Sequence, residues 1–145
     1  DTYVGPDEDA DLSVLSEMAA AVLEGIRRSD VDRLVWTGGA GGLWVDPDTR
    51  LVETDDFPDE VVPIARAHID ALEVLRAATD VEWSYVAPAA VIEPGERTGE
   101  YRTAEGRLVT DDDGESYISM EDFAIALVDE LETGDAIGVQ LGVAH

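Results

Sequence analysis

Apolar residues recur at intervals of three and four positions in two stretches of the chain, which is the spacing of amphipathic helices. The first stretch covers residues 12–26, and the second begins between residues 58 and 64 and ends near residue 78. A third helix is expected from Ser119, a side chain suited to the N-cap, to about residue 131, ahead of Gly134. The pattern therefore predicts three helices.

Short and nearly continuous apolar runs predict buried strands at residues 32–37, 81–87 and 136–143. Residues 46–48, Asp-Pro-Asp, are a predicted turn. Residues 93–113 are predicted to be loop, with one short extended piece at residues 108–109. Helices that alternate with short apolar strands favour a single α/β domain with a largely parallel sheet.

Acidic residues dominate the charge of the chain. There are 34 Asp and Glu residues against nine basic residues, all of them arginine, so the net charge is −25. A negative surface argues against binding to a nucleic-acid backbone or an anionic membrane. Because the acids are spread along the whole chain, we interpret them as adaptation to high salt. We therefore expect a cytoplasmic protein of a salt-loving organism, with an acidic decoy or a partner-binding surface as the alternative.

Two further features limit the class of protein. The chain has no cysteine, which excludes disulfides, thiolate chemistry and cysteine-based metal sites. Its apolar runs are shorter than the roughly 20 residues that a membrane helix needs, and the acidic start carries no sign of a signal peptide. The first residue is Asp1 rather than methionine, so we expect a processed chain or one that begins partway through a longer protein.

Three local patterns are candidates for chemistry. The glycine segment, residues 38–42, follows a predicted strand but does not fit the dinucleotide fingerprint, so close approach of a ligand and a plain flexible loop both stay open. Residues 111–114 resemble part of a calcium loop, yet Val109 and Met120 would occupy ligand positions, so a polar turn is expected and no metal. His68 lies on the apolar stripe of the second helix, either as a core residue or facing a ligand.

Four segments carry a resemblance to a known family: VWTGGAGGL at 35–43, SYVAPAA at 84–90, EPGERTGEY at 93–101 and DGESYISMEDFA at 113–124. In order and spacing they resemble the C-terminal half of atypical short-chain dehydrogenase/reductase proteins. The most similar group is the NAD(P)H-binding one that includes flavin and biliverdin-IX-beta reductases and NmrA-like regulators. The resemblance implies a Rossmann-like three-layer sandwich with a mostly parallel sheet. It also implies NAD(P)H as the cofactor of the full-length protein.

The phosphate-binding glycine turn of that family has no match in this sequence. We therefore expect residues 1–145 to be the C-terminal portion of one Rossmann-like domain, with its first βαβ units absent. In the family, loops after strands line the nicotinamide. Carried over residue by residue, these loops contain Gly5, Pro6, Thr37, Gly38, Gly39, Pro88, Ala89 and Ala90. By position only, the candidates for the substrate side are Trp44, His68, Ile92 and Tyr101.

Well-known members of the superfamily use a Tyr-x-x-x-Lys proton relay, which is excluded here because the matching helix has no tyrosine and the chain has no lysine. Biliverdin-type relatives have a serine where Gly39 is the best match, so the catalytic residues stay unknown. The resemblance implies an NAD(P)H-dependent reductase of flavins, quinones or similar small molecules. A homo-oligomer is a further expectation. The alternatives are a non-catalytic NAD(P)-sensing, NmrA-like regulator and a structural fragment without cofactor.

Overall fold

The computed structural model describes residues 11–145, which contain three α-helices and eight β-strands. The helices are α1 (Val14–Arg27), α2 (Val62–Arg76) and α3 (Met120–Thr133). The strands are β1 (Arg33–Thr37), β2 (Trp44–Asp46), β3 (Thr49–Arg50), β4 (Glu82–Ala87), β5 (Val91–Glu93), β6 (Arg102–Glu105), β7 (Tyr117–Ser119) and β8 (Gln140–Ala144). The three predicted helices are confirmed, with ends within a few residues of the expected positions.

The main sheet has four strands in the order β1-β4-β8-β6. The pairs β1–β4 and β4–β8 are parallel, and β6 joins β8 antiparallel at the edge. In register, Thr37 lies opposite Val86, and Ala87 lies opposite Gly142. The α/β class and the mostly parallel sheet of the prediction are confirmed. The carboxyl ends of β1, β4 and β8 consequently meet along one edge of the sheet.

Alternate residues of β4 bury into two separate cores. Trp83, Tyr85 and Ala87 join the cluster under α1 and α2, whereas Val86 joins the cluster under α3. This is the period of two that a strand covered on both faces requires. The helices therefore form two outer layers with the sheet between them. In residues 11–145, no helix is long and apolar enough to cross a membrane.

A buried ion pair ties the sheet to α3. Glu130 on α3 is almost fully buried, and its carboxylate accepts hydrogen bonds from Arg33 of β1 at 2.7 Å and Ser84 of β4 at 2.8 Å. The backbone N–H of Ala136 donates to the same oxygen at 3.0 Å. A buried charge is tolerated when it is paired and hydrogen-bonded in this way. The network fixes α3 over β1 and β4.

Several short strands differ from the sequence prediction. The extended piece lies at β6 rather than at residues 108–109. Two small sheets were not predicted: β2–β3 flanks the turn predicted at residues 46–48, and β5–β7 lies at the two ends of the loop predicted for residues 93–113. The last strand begins at Gln140 rather than at residue 136. Residues before it turn through Gly134 and Gly138, with φ of 64° and 76°, and the Gly138 N–H donates to the Trp83 carbonyl. The apolar run from residue 136 is therefore partly a turn, in which Ala136 is buried and Ile137 is exposed.

Candidate active site

Two loops meet at the carboxyl edge of the sheet. The backbone N–H of Gly38, just after β1, donates a 2.8 Å hydrogen bond to the carbonyl of Val86 in β4. The segments Thr37-Gly38-Gly39, at the end of β1, and Pro88-Ala89-Ala90, after β4, therefore lie at the same edge of two neighbouring parallel strands. Open α/β sheets bind their ligands outside the carboxyl ends of their strands. The structure thus brings together six of the eight residues predicted to line a cofactor, while Gly5 and Pro6 lie outside the described residues.

Tyr85 of β4 packs against the loop after β1 and fixes its position. A Cβ atom on Gly38 would lie 1.9 Å from the Tyr85 ring, so only glycine allows the backbone to cross the ring at this distance. The Gly39 N–H donates to the Tyr85 hydroxyl at 2.9 Å. Burial raises the pKa of Tyr85 to about 12, so the hydroxyl keeps its proton at neutral pH. Tyr85 is therefore an anchor of the loop rather than a source of protons.

The rest of the glycine segment passes under α2. A Cβ on Gly41 would lie 2.8 Å from the Cβ of Ala65, and one on Gly42 would lie 3.0 Å from Ile69. The sequence left a ligand approach and a flexible loop as alternatives for these glycines. The structure gives a third explanation for these glycines, which is that they let the segment pack closely against the sheet and the helix. Approach of a ligand stays a prediction for Gly39.

His68 is the predicted substrate-side residue that lies beside the glycine segment. A Cβ on Gly39 would lie 3.4 Å from the imidazole ring, and the ring itself is half-buried on α2. Its Nδ1 atom is buried and has no hydrogen-bond partner within residues 11–145. Burial lowers the pKa of His68, so the imidazole is neutral at neutral pH. A neutral imidazole can donate one hydrogen bond and accept another without supplying charge.

The other three substrate-side candidates lie elsewhere. Trp44 is part of the β2–β3 hairpin, where the Arg50 guanidinium stacks 4.9 Å from the centre of its ring. Ile92 and Tyr101 pack against the apolar cluster under α3, on the opposite face of the sheet from α2. The Tyr101 hydroxyl donates to the Asp129 carboxylate, and burial followed by this bond raises the pKa of Tyr101 to about 12.

A buried carboxylate holds a second loop, which the sequence did not predict. We call residues 94–99 the clamped loop. The carboxylate that holds it belongs to Asp122 of α3, which has no exposed surface. Asp122 accepts hydrogen bonds from the Thr98 N–H at 2.9 Å, the Thr98 hydroxyl at 2.6 Å and the Gly99 N–H at 2.8 Å. The Thr98 hydroxyl, the Gly99 N–H and His145 hold the pKa of Asp122 well below its usual range, although burial opposes them. The carboxylate is therefore ionised at neutral pH.

Two further residues at the start of α3 complete this clamp. The Ser119 hydroxyl caps the helix by accepting the Asp122 N–H at 3.1 Å, and it donates to the Glu96 carbonyl at 2.8 Å. Glu121 accepts the Gly95 N–H at 2.9 Å. Residues 94–99 and 118–124, two of the pieces that carried the resemblance, thus form one unit. The sequence predicted the Ser119 cap but not that the acid three residues later would bind a distant loop.

The clamp lies at the same edge of the sheet as the two strand loops. His145 follows β8, and its Nε2 atom lies 2.7 Å from the Asp122 carboxylate. β8 is the parallel neighbour of β4, so its carboxyl end flanks residues 88–90. The clamped loop follows β5, which begins directly after those residues. Among residues 11–145, no group of three His, Asp or Glu side chains is arranged to hold a metal ion.

Comparison with known proteins adds a family match. A protein family described as NAD(P)H-binding matches residues 3–133. Over 119 residues the chain is 38% identical to YwnB of Bacillus subtilis, an uncharacterized protein, and the match covers 80% of this chain and 56% of YwnB. The chain thus spans about half the length of this curated relative.

Two solved structures are similar over nearly the whole chain. A Burkholderia pseudomallei protein named as an exported protein is 45% identical, with a TM-score of 0.90 over 97% of this chain and 68% of that one. A Streptococcus pneumoniae protein named as an NADH-flavin reductase is 35% identical, with a TM-score of 0.88 over 100% of this chain and 69% of that one.

Proposed function

This chain belongs to the NAD(P)H-binding family, and from that premise we propose that it is part of an NAD(P)H-dependent reductase of flavin- or quinone-like acceptors. The name of the Streptococcus pneumoniae protein, an NADH-flavin reductase 35% identical to this chain, supports the choice of acceptor. The resemblance of the clamped loop and the start of α3 to flavin and biliverdin-IX-beta reductases supports it as well.

The observation that carries the proposal is the contact between Gly38 and Val86. Their hydrogen bond joins two strand loops at the carboxyl edge of the sheet, where open α/β sheets bind their ligands. The buried Nδ1 of His68, unpaired within the described residues, adds an unused polar atom beside Gly39. These features fit the nicotinamide end of the cofactor, which supplies the hydride. The chain's own residues bind and orient that ring.

The state of Tyr85, Tyr101 and His68 favours acceptors that need no proton from these side chains. The hydroxyls of Tyr85 and Tyr101 have pKa values near 12 and are engaged with the backbone of Gly39 and with Asp129. His68 is neutral, and the chain has no lysine. Hydride addition to a ketone creates an alkoxide, which calls for a general acid. A reduced flavin or quinone spreads its negative charge over a ring system and takes its proton from water.

The same state of these three side chains favours a second candidate, an NAD(P)-binding sensor that does not turn its cofactor over. The test is to incubate the full-length protein with NADH or NADPH and one of three acceptors: FMN, a naphthoquinone or a simple ketone. We expect oxidation of the cofactor with the flavin or the quinone and none with the ketone. Cofactor binding without turnover would support the sensor, and the absence of binding would contradict both candidates.

A further inference from the structure

Most arginines of this acidic chain already have partners. Arg27, Arg28, Arg33 and Arg76 form ion pairs. The guanidinium of Arg50 stacks on Trp44, and that of Arg102 donates to backbone carbonyls. Within residues 11–145, the side chains of the remaining three make no salt bridge or hydrogen bond; they are Arg66, Arg97 and Arg107.

Arg97 differs from the other two in its place, because it lies on the clamped loop rather than on α2 or beside β2, and its backbone is held on both sides. The carbonyl of the preceding residue, Glu96, accepts a 2.8 Å hydrogen bond from the Ser119 hydroxyl. The following residue, Thr98, is bound to Asp122 through both its N–H and its hydroxyl. The Arg97 side chain nevertheless stays exposed. A cation on a fixed backbone loses less conformational entropy when it binds a ligand than one on a mobile loop.

Arg97 is a positive group on a strongly negative protein. The protein carries 25 excess negative charges, which repel an approaching anion in general. An anionic ligand therefore needs a local positive group at the site. The neighbouring carboxylates do not neutralise Arg97 by contact, because Glu121 is committed to the Gly95 N–H and Glu96 forms no salt bridge with Arg97. The clamped loop is also at the sheet edge where residues 37–39 and 88–90 meet.

We propose that Arg97 binds an anionic group, a phosphate or a carboxylate, on the electron acceptor. This inference rests on the proposed function, because it assigns a specificity residue to the acceptor side of that site. Arginine suits the task since its planar guanidinium can donate two parallel hydrogen bonds to such a group. Arg97 takes no part in the chemistry. It selects acceptors that carry a negative charge outside the ring that is reduced.

The test compares FMN with riboflavin, which have the same ring and differ by one phosphate. Binding of each flavin to the protein is measured by fluorescence at fixed ionic strength, so turnover is not needed. We expect the protein to bind FMN more tightly than riboflavin. Arg97→Ala should weaken FMN binding about tenfold, the size of one charge-assisted hydrogen bond, and leave riboflavin unchanged. Arg97→Lys should keep part of the preference, and Thr98→Val, which removes one bond of the clamp, should reduce it less than Arg97→Ala.

The matched control is Arg28→Ala. Arg28 is also exposed, but it follows α1 at the opposite edge of the sheet and should leave both affinities unchanged. Equal binding of the two flavins, absence of flavin binding, or an equal loss for both in Arg97→Ala would overturn the assignment. A loss for NADPH relative to NADH, with FMN unaffected, would overturn it too, since the arginine would then serve the cofactor. FMN preference without NAD(P)H oxidation would leave Arg97 assigned and remove the proposed reductase.

Discussion

The two loops that flank the candidate site are held in opposite ways. The glycine segment is fixed by contact, with Tyr85, Ala65 and Ile69 filling the space where side chains would be. The clamped loop is fixed by an ionised carboxylate that receives three hydrogen bonds from it. Close packing does not change with pH, whereas a carboxylate clamp exists only while the acid is deprotonated. The proposed cofactor side should therefore keep its packing as the pH changes, and the proposed acceptor side should loosen at low pH.

The largest effect is expected from adding one methyl group to the glycine segment. Gly38→Ala places a Cβ 1.9 Å from the Tyr85 ring, so the ring must move and its bond to Gly39 is lost. Overpacking of this kind costs about 3 kcal/mol of the free energy of unfolding. The control is Gly25→Ala in α1, where nothing lies within 4 Å. It should stabilise the protein by about 0.5–1 kcal/mol. Urea denaturation of both variants measures the difference, and equal stabilities would refute the packing account.

A second experiment removes the charge of the clamp while keeping its shape. Asp122→Asn replaces an ionised acceptor by an amide that satisfies fewer of the donors from Thr98 and Gly99. We expect a smaller loss of stability than for Gly38→Ala. Hydrogen exchange at the amides of residues 98 and 99 should accelerate about tenfold, because the loop opens locally. Unchanged exchange there, with protection lost elsewhere, would mean that Asp122 does not hold this loop.

Lowering the pH should weaken the carboxylate clamp but not the packing of the glycine segment. Since the pKa of Asp122 is lower in the folded than in the unfolded chain, protons bind preferentially to the unfolded state. The stabilisation is complete above about pH 4, the usual value for aspartate, and is lost as the pH falls further. The difference in stability between the wild type and Asp122→Asn should therefore shrink below about pH 4. The difference between the wild type and Gly38→Ala should stay constant, and a parallel decline of both would contradict the comparison.

The smallest effect on activity is expected at His68, beside the cofactor-side loop. Because this imidazole is neutral and adds only a hydrogen bond, His68→Ala should keep at least about a hundredth of kcat, whereas loss of a general acid costs roughly 10²–10⁴-fold. His68→Gln, which keeps a donor, should lie closer to the wild type. Steady-state kinetics with FMN provide the measurement. A folded His68→Ala variant without turnover would make His68 an essential acid.

The sequence predicted the elements whose pattern is strong and left out those whose identity depends on neighbours. Helices α1, α2 and α3 and the parallel strands have clear apolar periodicity. In contrast, β6 reads Arg-Thr-Ala-Glu, a polar edge strand recognisable only from its pairing with β8. β5 and β7 are three residues each and pair with one another although residues 94–116, which include β6, lie between them. Periodicity along a chain carries no information about such pairings.

As with the fold, only part of the candidate site was predictable from the sequence. The loops after β1 and β4 follow strand ends, which sequence alone can locate. The contact of His68 with Gly39 crosses from a helix to a strand loop, and position in the chain could not separate it from Ile92 and Tyr101, which lie on the other face. Asp122 resembled an ordinary residue of a helix first turn. Its role became visible only when the fold placed residues 98 and 99 against it.

The central proposal is that NAD(P)H gives a hydride directly to an acceptor, from a nicotinamide ring that the loops after β1 and β4 hold in one orientation. Anaerobic single-turnover reduction of FMN with NADPH deuterated on one or the other face of the nicotinamide tests it most directly. A ring held in one orientation predicts that only one of the two labelled cofactors reacts more slowly than unlabelled NADPH. Equal rates with all three, or no reduction of FMN, would contradict the claim.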